Sequence, residues 1–229
     1  MSPTAIMVRA KSVAKKSGGT VLTEAATKKT SAKRRPGLSR EKILAEATKL
    51  FAARGYAAIS IRDIASACGI GIPSIYHLFG DKDSLYVSCC EALFGNVEVL
   101  LSSSFKNTHS SHSNIRNFAI TLCNILLKDK DVCRLLQMEL LQDEHRGIEE
   151  ITAHHFISAF RILIDGISDL VGAKGAAERA FLIYALPLGQ IQLRRVAQLA
   201  NADITQGGHA EKLAEYVLNV ALPGHDWTR

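Results

Sequence analysis

Residues 60–79, SIRDIASACGIGIPSIYHLF, decide the fold. Ser60 is a hydroxyl residue placed to cap a short helix in which Ile61, Ile64, Ala65 and Cys68 share one face, while Arg62 and Ser66 point the other way. Gly69-Ile70-Gly71 interrupts that helix after about two turns. A second short helix over 72–79 follows, with Pro73 in its first turn, where a missing amide hydrogen costs nothing. Two short helices joined by a tight glycine-containing turn form a helix-turn-helix. On a helical wheel the second helix buries Ile72, Ile75 and Phe79, leaves Pro73, Ser74 and His77 outside, and sets Tyr76 at the edge. Its eight residues span about 12 Å, comparable to the width of a DNA major groove.

Upstream, Ser39 is placed as an N-cap, with Leu38 and Ile43 at staple positions. Ile43, Ala47, Leu50 and Phe51 recur at three- and four-residue spacing until Gly55 stops the helix. Downstream, Gly80 ends the recognition helix and Asp81 caps a long one over 82–105. The Ser/Asn/His-rich stretch 102–114 reads as a loop, followed by helices over 115–128, 131–142 and 147–171, the last closed by Gly172 and Gly175. The final pair covers 176–200, interrupted at Pro187, and 209–222, stopped by Pro223-Gly224. No strand pattern and no internal repeat occurs, so the expected class is all-α. Three units are expected: a basic tail over 1–37, a three-helix DNA-binding domain over 38–85, and a helical domain over 86–229.

Charge is unevenly placed. Residues 1–37 carry nine Lys and Arg against the single acid Glu24, whereas the whole chain is only +6, so the rest is slightly acidic. A basic segment rich in Ser, Thr, Ala and Gly without hydrophobic periodicity does not fold by itself, and its natural partner is a polyanion. It reads equally as a merely solvating tail. No stretch reaches the roughly 18 uninterrupted apolar residues of a membrane span. Arg9, Lys11, Lys15 and Lys16 break up any secretory core, which leads to the expectation of a cytoplasmic protein. The five cysteines, Cys68, Cys89, Cys90, Cys123 and Cys133, lack CxxC spacing and read as small buried hydrophobes; adjacent Cys89 and Cys90 leave a redox sensor conceivable.

With these residues in view, the sequence resembles the TetR family of bacterial repressors. The resemblance runs through FAARGY at 51–56, SIRDIA at 60–65, Gly69-Ile70, and PSIYHLFGDKDSL at 73–85. It implies that Ser60, Ser74, Tyr76 and Lys82 contact the DNA backbone, that Arg62 and His77 reach base edges, and that Pro73 meets a thymine methyl. The sequence departs from the family at Gly71, where a capping Ser is usual, and at Ile72, where a polar base reader is common. Both departures shift base readout toward Arg62, Tyr76 and His77.

The resemblance also implies a homodimer through the last two helices, a double-stranded DNA operator as partner, and a small-molecule effector bound between those helices and the head. FLIYALPL at 181–188 agrees with the dimer, being apolar all round, as a helix is that faces its own core and a partner, or one surrounded within a single chain. Candidates for the effector pocket are Phe94, Phe105, Phe118, Phe156, Phe160 and Tyr184, residue types that equally serve as plain core. His154-His155, His145, His109 and His112 lack the spacing of a metal site, and no nucleophile elbow, Walker loop or dinucleotide fingerprint is present. The expectation is therefore a ligand-responsive repressor without catalytic residues, cofactor or metal. An architectural DNA-binding protein that needs no effector is the alternative, with a helical enzyme or carrier behind it.

Overall fold

In the computed structural model, which describes residues 40–105, 110–141, 148–201 and 209–228, every regular element among those residues is a helix. The chain opens with α1 (Arg40–Arg54), α2 (Ile61–Cys68), α3 (Ile72–Phe79) and α4 (Lys82–Ser103). It continues through α5 (Ser111–Lys128), α6 (Lys130–Leu141) and α7 (Ile148–Val171), and ends with α8 (Ala176–Gln192), α9 (Arg194–Leu199) and α10 (Ala210–Ala221). The expected Ser39 cap, the Leu38 staple, the basic segment 1–37, His109 and His145 lie outside the described residues.

The start of α2 follows from two side chains. Ser60 Oγ accepts from the Asp63 amide at 3.2 Å while Asp63 accepts from the Ser60 amide at 2.8 Å, a complete capping box. The Ser60 hydroxyl also donates to Asp63, and these bonds hold the Asp63 carboxyl below the usual carboxylate range. Gly69 closes the helix at φ 64°, left-handed backbone that a side chain tolerates poorly, and so aims α3 away from α2. Ser60→Ala is expected to lower stability by about 1 kcal/mol, and Ser60→Gly by only a few tenths, read from urea denaturation midpoints.

Inside the head, Ile43, Phe51, Ile61, Ile64, Cys68, Ile75 and Phe79 are buried, whereas Leu50 and Ile72 are only partly covered. The expectation of a buried Ile72 is thus corrected: it begins α3, beside the exposed turn residue Gly71, and is only partly covered. Rings join the head to α4. Tyr86 meets Phe51 edge-on at 4.9 Å and Tyr56 at 5.1 Å, and its hydroxyl donates to Glu139 on α6 at 2.5 Å. α1 packs on both α4 and α6, so one continuous core runs from Ile43 to Trp227.

By length and composition alone α4 is apolar enough to cross a membrane. Here it is a core helix, with Leu85, Tyr86, Cys89, Cys90, Phe94, Val97 and Leu101 buried and its flanks packed on α1 and α7. Two boundaries differ from expectation. α5 starts at Ser111, inside the stretch read as loop, because Ser110 accepts from the Ser113 amide and caps it. α8 continues through Pro187 and breaks instead at Leu193, before α9. Pro187 is buried, and its ring removes one helical hydrogen bond without ending the helix.

All five cysteines are buried and free. Burial pushes the Cys89 and Cys133 thiols up to about 11 and Cys123 up to about 12, leaving almost no reactive thiolate at neutral pH. Cys89 and Cys90 are both buried, and burial raises both thiols, which does not favour a redox role for the pair.

Candidate DNA interface and effector chamber

The outer surface of the head is built by elimination. Once Ile61, Ile64, Ile75 and Phe79 turn inward, Ser60, Arg62, Pro73, Ser74, Tyr76 and His77 are left exposed on α2, α3 and the turn before α2. Tyr76 is 49% exposed, in keeping with its edge position on the wheel. Lys82 is partly covered: its ammonium lies 4.0 Å above the Tyr56 ring, and the Tyr56 hydroxyl donates to Asp83. Lys82 is therefore a charge held in place at the start of α4 by an aromatic face. Leu78, 43% exposed, joins the outer surface of α3 unforeseen, since its wheel position had not been assigned. Tyr56 was also missed as the support of Lys82; the partnership spans 26 positions of sequence and leaves no local pattern.

The second site lies farther along α4, where that helix packs on α7, and α7 packs on α5 and α8. The six aromatic candidates form one connected chain of rings. Phe94 meets Phe156 at 5.5 Å, Phe156 meets Tyr184 at 6.5 Å, and Phe160 meets Tyr184 at 5.4 Å. Phe118 meets Tyr184 at 5.7 Å and Phe105 at 5.9 Å. Phe94 and Phe118 are buried, and the other four are partly covered. Phe105 fits only because Gly166 has no side chain, as a Cβ there would stand 2.4 Å from its ring.

A cleft of about 150 Å3, counting its open mouth, lies between α4 and α7 against Phe94 and Phe156. It encloses no room for a small molecule, so a ligand must move side chains to enter. At its rim His155 Nδ1 lies 2.6 Å from Glu98 Oε2, a pairing that holds the Glu98 carboxyl below its ordinary range. His155 was read among the histidine clusters; its actual partner comes from α4, far away in sequence. His154 is exposed next to it, and His112 stacks on Trp227 at 4.1 Å. No group of three or more metal-ligating side chains is found among the described residues.

Comparison with known proteins places this geometry. A sequence profile of bacterial regulatory proteins of the tetR family matches residues 43–89, the span of the head and the first turns of α4. The uncharacterized HTH-type transcriptional regulator YerO of Bacillus subtilis is 41% identical over 56 residues, a match covering 24% of this chain and 19% of that protein. The transcriptional regulator FadR from Bacillus subtilis, solved in complex with stearoyl-CoA, shares the fold with a TM-score of 0.65 over 82% of this chain and all of that one, at 15% identity. AibR, solved in complex with isovaleryl coenzyme A and operator DNA, does so with a TM-score of 0.61 over 80% of this chain and 97% of its own, at 18% identity. The head carries the sequence of the tetR family of bacterial regulatory proteins over residues 43–89, and the helices behind it carry a fold shared with these solved regulators.

Proposed function

We propose that this protein is a sequence-specific DNA-binding transcriptional regulator that acts as a homodimer and, as a repressor, is released from its operator by a small molecule. The observation that carries the reading is the exposed set Arg62, Pro73, Ser74, Tyr76 and His77 on one helix-turn-helix, with Ser60 and Lys82 at the starts of the flanking helices. In this reading Arg62 and His77 reach base edges, Pro73 meets a thymine methyl, and Ser60, Ser74, Tyr76 and Lys82 hold phosphates. Domains follow the same division: a basic arm over 1–37, the head over 38–85, and the effector and dimer domain over 86–229.

The dimer reading is supported by large apolar side chains left in solvent on the last helices. Phe181 on α8 is 62% exposed, Tyr216 and Val220 stand one turn apart on α10, and α8 packs directly on α10. Where such side chains join into one apolar patch, they mark an interaction site. The effector reading is supported by the chain of rings and by complexes of FadR and AibR with thioester ligands in a shared fold.

The mechanism is geometric. Two recognition helices must enter successive major grooves about 34–36 Å apart, so a few ångströms of spreading misplaces one. α4 joins both sites: its first turn holds Lys82, and its later turns hold Phe94. A ligand that wedges beside Phe94 tilts this helix and moves the head. It does so only by binding the spread state better, so ligand and DNA weaken each other by the same factor.

Deleting residues 1–37 tests the arm. Nine cations leave, so affinity for the operator and for a scrambled duplex should fall together, and more at low salt than at high salt. Footprinting on DNA flanking the protein's own coding region tests the whole reading. One discrete protected site is expected, whereas uniform protection of every fragment indicates an architectural binder.

A further inference from the structure

Tyr184 on α8 is the odd polar group of the aromatic chamber. Its ring lies among Phe118, Phe160 and Phe156, yet its hydroxyl is buried without a hydrogen-bond partner. Buried tyrosine hydroxyls normally find an acceptor, and a phenylalanine would fill the same space without stranding one. Burial drives the pKa of this phenol upward, so it keeps its proton and presents a donor.

At the rim of the neighbouring cleft the polar pair is already engaged. Glu98 is bonded to His155 at 2.6 Å and takes a second hydrogen bond from Ser158. Among the described residues, the cation–ring contacts are Arg40 over Phe79 and Lys82 over Tyr56, both in the head. The cleft between α4 and α7, walled by Phe94, Val97, Leu101, Phe156 and Ala159, approaches the rings from the Glu98 side. Phe156 stands between that cleft and Tyr184.

We propose that the chamber binds a neutral, largely apolar ligand through one carbonyl oxygen that accepts the Tyr184 hydroxyl, and that rotation of Phe156 opens the way to it. The proposal rests on reading the chamber as the effector site and names the chemistry of its occupant. A carboxylate is disfavoured by the same features: it would leave water for rings offering one neutral donor. The carbonyl can arrive free, as a ketone, or on a thioester whose carrier remains outside.

Calorimetric titration of the full chain and of Tyr184→Phe tests this with probes of matched size: 4-phenylbutan-2-one, n-butylbenzene and 4-phenylbutanoate, with butyryl-coenzyme A as the thioester. The ketone or the thioester should bind the unmodified chain about three- to tenfold more tightly than Tyr184→Phe, the worth of one net hydrogen bond. Butylbenzene should not distinguish the two chains, and the carboxylate should bind more weakly than the ketone. Binding by the ketone alone or the thioester alone identifies the source of the carbonyl. The proposal is overturned if the carbonyl probes bind both chains alike, if the carboxylate binds more tightly than they do, or if neither carbonyl probe binds. Repeating the titration with operator duplex present separates the two readings. A probe that needs Tyr184 but leaves DNA affinity unchanged keeps the carbonyl site and removes its role as an effector site.

Discussion

Phe181→Glu is expected to convert the protein to a monomer and to lower operator affinity by about a hundredfold or more, since tethering two heads raises avidity by 10²–10⁴. Phe181 is the most exposed aromatic side chain of α8. A carboxylate there leaves the chain's own core untouched, because Ala180, Ile183 and Pro187 form the buried side of the same helix. Against a partner's apolar face it becomes an unpaired buried charge, which a marginal interface does not survive. Sedimentation and operator binding, measured on the same sample, check both halves. A stable dimer would place the interface elsewhere; a monomer with undiminished affinity would remove the need for two heads.

Arg62→Ala should cost the second-largest amount and should change preference as well as affinity. One bidentate arginine–guanine contact is worth about 1–3 kcal/mol, and a dimer makes it twice, so the operator should lose about thirtyfold or more. Competition against a scrambled duplex should lose much less. Lys82→Ala provides the contrast: in the proposed readout its ammonium, held over Tyr56, meets a phosphate, so its loss should weaken all DNA alike and reduce the salt slope by about one unit for each copy. If Arg62→Ala behaved as Lys82→Ala is expected to, Arg62 would be a backbone contact and base readout would fall to His77 and Tyr76.

The head was legible in the sequence because its signals are local. Ser60 as a cap, Gly69 at the turn and apolar residues at helical spacing all act within one or two turns, and each appears in the fold where it was read, whereas the Asp63 half of the capping box was not. The exposed side chains then followed by subtraction. Ile72 departed from the wheel because position in the element, as well as angle, decides burial.

The helices behind the head were legible as elements and less so as a site. All six aromatic candidates do fall on one chain of rings, but their spacing could not distinguish a chamber from plain core. What distinguishes Tyr184 is a missing partner, and an absence of that kind appears only in three dimensions. Long-range pairs were invisible for the same reason: Tyr86 with Glu139, and Glu98 with His155, each join helices more than 50 residues apart. At the carboxyl end, buried Trp227 donates to the Leu222 carbonyl, while its own carbonyl accepts from Arg116 on α5. The Pro223-Gly224 stop signal gave no hint that the chain returns to the core.

The central claim is that two copies of this head read a two-fold DNA site, and selection from random duplexes followed by the mass of the selected complex tests it most directly. The account predicts an inverted repeat whose half-site centres lie about one helical turn, 10–10.5 base pairs, or a multiple of it apart, bound by an even number of chains. Selected duplexes without two-fold symmetry, or a tight complex containing a single chain, would contradict it.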